Sequence, residues 1–137
     1  KEKPFIGCDI ITGFPSESEQ DFFKSASMCK DLKFAGIHAF PFSPRPGTLS
    51  FNMKEKIAER IANERVNILN QIAIENYNEY LKLCQHDKLL AIVEVNSNNK
   101  LFVTTENYLH LPLITEKKHK AGDEVLVCLE EDKAILV

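Results

Sequence analysis

Nowhere in this chain do apolar residues run uninterrupted for the roughly 18 positions that a membrane-spanning helix needs, and no signal-peptide core follows the opening Lys1-Glu2-Lys3-Pro4. The expected location is the cytoplasm, with no membrane partner. The four cysteines, Cys8, Cys29, Cys84 and Cys128, form neither a CxxC nor a CxxxCxxC cluster. Local zinc and iron–sulfur motifs are therefore excluded, and no residue is assigned as a metal ligand. Each cysteine reads as a small buried hydrophobe rather than half of a disulfide framework, beside two cores expected to be rich in aromatics. There is also no excess of positive charge: 17 Lys and Arg stand against 20 Asp and Glu. Broad cationic binding of nucleic acid is thus disfavoured, and an RNA contact would need a local patch.

What is present is ordinary for a folded protein: 137 residues, 44% hydrophobic and 27% charged. That length suits one average domain or two small ones. Residues 1–84 carry 11 basic and 11 acidic side chains, whereas 85–137 carry 6 and 9, so the net −3 resides in the second part. The first residue is not Met, and a strand-like run, Phe5 to Ile11, starts almost at once. Both features suggest a piece of a longer protein.

Residues 5–14 have the pattern of a strand buried on both faces, broken by Gly13-Phe14-Pro15-Ser16. Ser16 with Glu19 offers a capping box for a helix near 18–33, with Phe22, Ala26, Cys29 and Leu32 inward. Phe34–Phe40 reads as a second strand, giving a βαβ unit that is right-handed if the strands are parallel. Two strands and a helix cannot close a core, which again implies neighbours outside the chain. Pro41–Thr48, with three prolines and a glycine, must be a loop at the strand's C-terminal end, the edge where parallel α/β architectures bind ligands. From Lys54 to about Leu83 the apolar positions Ala58, Ile61, Ala62, Val66, Leu69, Ala73, Tyr77, Tyr80 and Cys84 predict one long helix, with Glu59, Asn63, Asn67, Asn70 and Asn78 toward solvent. Five short strands follow, at Leu89–Val95, Lys100–Thr105, Tyr108–Leu113, Glu124–Glu130 and Lys133–Val137, the content of a small OB-like β-barrel. The expected domains are 1–84 and 85–137, and the fold class is α/β plus all-β.

Asp9 places a carboxylate in a strand, and Gly13 at its exit lets backbone approach a ligand closely, although a satisfied strand and a capped helix explain the same residues. Ser43 and Arg45 leave the neighbouring strand toward the same side. Arg45 could bind phosphate or carboxylate, or equally pair with Glu17 or the long helix. Lys117-Lys118-His119-Lys120 is the one concentrated basic run, readable as a solvated loop or as an RNA anchor with a counterion slope of roughly −3 at most. Tyr108 and Asn107 could stack on and hydrogen-bond an unpaired base, though a strand tyrosine is more often core. His38, His86 and His110 are isolated and receive no role; Tyr77 and Tyr80 read as packing.

Asp9-Ile10-Ile11-Thr12-Gly13-Phe14-Pro15-Ser16-Glu17, followed by Phe40-Pro41-Phe42-Ser43-Pro44-Arg45-Pro46-Gly47-Thr48, a long helix and a small β-module, resembles the C-terminal part of radical S-adenosylmethionine methylthiotransferases. Thr105-Glu106-Asn107-Tyr108-Leu109 is similar to the TRAM domain of the branch that modifies threonylcarbamoyladenosine beside the tRNA anticodon. The resemblance implies that residues 1–84 end a partial radical SAM (βα) barrel and that 85–137 form a five-stranded TRAM barrel. It implies that Asp9, Ile11, Gly13, Phe14, Glu17, Phe42, Ser43 and Arg45 line the S-adenosylmethionine pocket, and that Asn107, Tyr108, Lys117, Lys118 and Lys120 contact tRNA. The full enzyme would be a monomer using S-adenosylmethionine and two 4Fe-4S clusters. This chain departs from the family in having Ser16 where Gly is usual, and in lacking the cluster cysteines, so no catalytic residue is assigned and the piece alone is expected to be inactive. Two other functions fit the residues: a freestanding RNA-binding module, and a protein–protein adaptor built on the acidic β-module.

Overall fold

The structure, a computed structural model, describes residues 3–137. They divide into two compact units, Ile6–Asn78 and, separately, the N-terminal residues through Phe5 with Glu79–Val137. This division falls inside the long helix, and the side chains of Tyr80 and Cys84 join the hydrogen-bond network of the second unit.

In the first unit, β1 (Gly7–Thr12) and β2 (Gly36–Pro41) pair in parallel, from Gly7 opposite Gly36 to Thr12 opposite Pro41. The expected βαβ unit is therefore present, with α1 (Glu19–Asp31) as its crossover. Phe22, Ala26 and Cys29 of α1 pack with Ile37 and with Leu69 of α2 (Glu59–Leu83), and Cys8 and Ile10 add to this core. Period-two geometry then directs Gly7, Asp9 and Ile11 the other way, and all three are exposed. Among the described residues β1 is covered on one face, not two.

Two local expectations need correction. The capping box is Ser18 with Asp21: the Asp21 amide donates to the Ser18 hydroxyl at 3.1 Å, and the Ser18 amide to the Asp21 carboxylate at 3.3 Å. Ser16 cannot cap, because it sits at φ 74° and its amide donates instead to Glu55 O at 2.8 Å, whereas an N-cap needs the extended geometry that Ser18 has. The long helix starts at Glu59 and not at Lys54, since the backbone of 54–56 is occupied by that Ser16 contact and by a tight Lys56 to Lys54 hydrogen bond of 2.7 Å. A short 3₁₀ turn at Leu49–Asn52 precedes it. The exposed helix face is as expected, but Asn76 is buried and its amide donates to Cys29 O and Phe34 O, satisfying carbonyls at the α1–β2 connection.

The second unit is a closed barrel of β3 (Lys88–Val95), β4 (Leu101–Thr105), β5 (His110–Ile114), β6 (Glu124–Glu130) and β7 (Lys133–Leu136), ordered β3-β4-β5-β7-β6 with β6 paired back onto β3. Only the β5–β7 pairing is parallel. Closure leaves no strand edge to protect, as expected of a small barrel. Its core is aliphatic, with Val93, Val103, Leu109, Val127 and Leu129 fully buried, while Phe14, Phe23, Phe40 and Phe51 of the other unit are exposed; the two cores are not rich in aromatics. The fifth strand segment begins at His110, because Tyr108 turns through φ 64°. Lys3 and Phe5 belong to this unit: the Lys3 ammonium pairs with Asp87 at 2.8 Å, and Phe5 meets Tyr80 edge-on at 5.4 Å.

Candidate functional site

The exit loops of β1 and β2 are tied together. The Phe42 amide donates to Thr12 O at 2.7 Å, and the rings of Phe14 and Phe42 meet edge-on at 5.1 Å. Gly13, Phe42 and Ser43 converge with Lys56, Glu59 and Ala62 on a cavity of about 440 Å³, at the C-terminal ends of two parallel strands. That volume lies in the range of small-molecule sites, and its lining mixes apolar rings with a hydroxyl, an ammonium and a carboxylate. Asp9 and Ile11 lie outside it, on the exposed face of β1 opposite His38 and Phe40.

Gly13 has a packing reason of its own. It sits at φ 72°, and a Cβ there would lie 2.5 Å from the Ala62 Cβ, so its bare backbone lets β1 approach α2. The neighbouring Thr12 hydroxyl, fully buried, donates to Ala62 O at 2.9 Å. Glu17, expected at the pocket, is spent on structure: its carboxylate accepts from the Gly13 amide at 2.6 Å and pairs with the Arg65 guanidinium. Arg65 also donates to Glu17 O at 3.2 Å and lies over the Phe22 ring at 5.3 Å. A buried charge needs such full pairing, and here it locks the Gly13–Glu17 loop onto α2. The sequence carried one signal for Arg65, a cation set within the helical stripe between Ala62 and Leu69. Arg45 is exposed, and among the described residues its guanidinium pairs with neither Glu17 nor the long helix; only its carbonyl is used, by Thr48.

The thiols do not form a cluster site. Cys8 and Cys29 are neighbours, and burial pushes Cys29 up to about 11 and raises Cys8 as well. Burial likewise raises Cys84, in the other unit. Protonated thiols are poor ligands and nucleophiles, and no group of three His, Cys, Asp or Glu among the described residues could hold a metal ion. Cys8 and Cys128 are only half-buried, a partial departure from the buried reading.

In the barrel, Lys117, Lys118 and Lys120 are exposed on the β5–β6 loop, and among the described residues none forms an ion pair. The loop is held by the Lys117 amide donating to the Thr115 hydroxyl and the Lys120 amide donating to the Asp123 carboxylate, each at 3.0 Å, with His119 Nδ1 3.5 Å from the same carboxylate. Asn107, expected to meet a base, is 6% exposed: its amide donates to the Tyr80 hydroxyl at 3.2 Å and to Cys84 Sγ, and its oxygen accepts from the Thr105 hydroxyl at 2.6 Å. Tyr108 is the reverse case, 71% exposed in a turn rather than in a strand or core, with Phe5 5.9 Å away.

No family model matches the chain. It is 48% identical over 139 aligned positions to the threonylcarbamoyladenosine tRNA methylthiotransferase MtaB of Treponema pallidum, covering 100% of the chain and 28% of that protein. To the Aquifex aeolicus protein of the same name it is 38% identical, covering 77% of the chain and 25% of the relative. To the tRNA-2-methylthio-N(6)-dimethylallyladenosine synthase of Bartonella quintana it is 29% identical, covering 83% and 25%. The chain thus spans about a quarter of the length of these relatives, and it belongs to the tRNA methylthiotransferase family.

Proposed function

We propose that this chain is the segment of a tRNA-modifying methylthiotransferase that lines part of the S-adenosylmethionine pocket and adds a tRNA contact, the modified residue being threonylcarbamoyladenosine. The observation that carries the reading is the convergence of Gly13, Phe42 and Ser43 on the cavity at the ends of β1 and β2. Its size and mixed lining fit S-adenosylmethionine: Phe42 offers an apolar wall for the base, while Ser43, Lys56 and Glu59 offer partners for ribose, carboxylate and ammonium groups. When bound, that cofactor supplies a methyl group and, on reductive cleavage, a radical. The residues here bind and orient it.

The two 4Fe-4S clusters of the proposed enzyme do not fit this chain's donors, four cysteines far apart in sequence of which Cys8, Cys29 and Cys84 are held protonated by burial, so their ligands belong to the part of the enzyme outside it. In the barrel, Lys117, Lys118 and Lys120 present three ammonium groups to phosphates, and Tyr108 presents a ring for stacking.

The test is equilibrium dialysis of S-adenosylmethionine against the full-length enzyme carrying Phe42→Ala. Removal of the apolar wall is expected to weaken binding about tenfold or more. Affinity within twofold of wild type would dismiss the pocket assignment.

A further inference from the structure

The exit loop of β1 and the start of α2 lie far apart in sequence, yet together they bound the cavity, Gly13 and Pro15 from the one and Lys56, Ile57, Glu59 and Ala62 from the other. Three ties join them. The Thr12 hydroxyl donates to Ala62 O at 2.9 Å, the Ser16 amide donates to Glu55 O at 2.8 Å, and Arg65 pairs with Glu17. The first belongs to the last residue of β1 and the second is purely main chain. Only the third joins two charged side chains.

The Glu17 and Arg65 side chains are 14% and 9% exposed. Neighbours supplied by a longer protein can bury them further but cannot return them to water. Removing a pair of charges from water is costly, and an apolar pair of similar volume often holds a fold as well. Stability alone therefore does not account for the pair. What it has, and an apolar contact lacks, is direction. Glu17 Oε2 accepts from the Gly13 amide at 2.6 Å and from Arg65 Nη1, and the same nitrogen donates to Glu17 O at 3.2 Å. One group thus addresses both the side chain and the main chain of Glu17, which fixes the orientation of the loop as well as its distance. Within that loop Ser16 holds φ 74°, a conformation that a serine keeps only where its surroundings impose it. Neither Glu17 nor Arg65 lines the cavity itself.

We propose that Arg65 is a positioning residue of the cofactor pocket, holding the Gly13–Glu17 loop through Glu17 at the separation from α2 that S-adenosylmethionine requires. The proposal rests on the reading that this cavity takes S-adenosylmethionine. Gly13 and Pro15 move with the loop, so loosening it alters the cavity without removing any group that touches the ligand. A wall already in place need not be ordered when the ligand binds, and this preorganisation is what Arg65 supplies.

Arg65→Ala would strand the Glu17 carboxylate, so two gentler variants of the full-length enzyme test the role. The double variant Glu17→Gln/Arg65→Met leaves no buried charge and keeps an acceptor for the Gly13 amide, while removing the tie to α2. Arg65→Lys keeps the charge but shortens the side chain and loses the planar group that lies over the Phe22 ring at 5.3 Å. In equilibrium dialysis the double variant is expected to bind S-adenosylmethionine about tenfold more weakly than wild type, and Arg65→Lys about threefold more weakly. Melting temperatures are expected to stay within about 3 °C of wild type, and filter binding of tRNA within about twofold. A merely structural role would instead lower the melting temperature or weaken tRNA binding equally, and either pattern overturns the positioning role. So does S-adenosylmethionine affinity within twofold of wild type in the double variant. Phe42→Ala separates the two readings. If it weakens S-adenosylmethionine binding and the double variant does not, the pocket stands and the role of Arg65 falls; if neither weakens it, both fall.

Discussion

The barrel of Glu79–Val137 and the βαβ unit of Ile6–Asn78 treat their strands in opposite ways. The barrel pairs every strand on both sides and fills its centre with aliphatic side chains. The βαβ unit covers one face of a two-stranded sheet with α1 and α2 and leaves the other face bearing Asp9, Ile11, His38 and Phe40. Closure pairs each strand with a neighbour on both sides. The βαβ unit holds its exit loop with buried polar contacts of Thr12, Glu17 and Arg65.

The contrast is tested most strongly at Arg65. If polar pairing replaces core in the βαβ unit, Arg65→Ala strands the Glu17 carboxylate and is expected to destabilise the unit by about 3–5 kcal/mol in chemical denaturation, because an uncompensated buried charge remains. Arg65→Ala within 1 kcal/mol of wild type would mean that the loop is held by packing alone.

A smaller effect is expected in the barrel, where Tyr80 donates to Lys3 O at 3.0 Å and accepts from the Asn107 amide. Tyr80→Phe is expected to cost about 1–2 kcal/mol. Burial pushes the Tyr80 phenol up to about 12 from its ordinary 10, so the folded barrel holds that proton more tightly than the unfolded chain does. Its contribution to stability is fully present below pH 10 and is lost as pH rises through 12. Phenolate absorbance should show a late step near pH 12 that Tyr80→Phe removes.

The smallest effect separates the two serines at the start of α1. Ser18→Ala removes the cap and is expected to cost about 1 kcal/mol, whereas Ser16→Gly, which relieves a residue at φ 74°, should be neutral or slightly stabilising by thermal melting. Equal losses at both positions would restore Ser16 as a cap.

The element types were legible because each has a period that survives without tertiary context. The strands after Asp87 alternate and α2 recurs at three and four residues, and all of these elements form with ends shifted by a few residues. The direction of pairing between β1 and β2 was left open by the sequence, and the structure shows it to be parallel. The site was less legible. Asn107 and Tyr108 are adjacent and polar, yet one is a buried strut and the other an exposed ring, and only the turn at φ 64° decides which is which. A Glu17–Arg45 pair is one of several options the sequence leaves open for Arg45, but the partner of Glu17 is Arg65, 48 residues away on α2.

Sequence alone determined the order of the elements, the division of labour between an α/β part and a β-module, the family, and the absence of clustered cluster ligands, because periodicity and motif spacing are local properties of the chain. Tertiary structure decided which of the polar residues are already satisfied. Hydrogen bonding is a question of three-dimensional partners: Glu17 finds its own in Arg65 and the Gly13 amide, and Asn107 in Tyr80 and Thr105, pairings that local sequence does not carry.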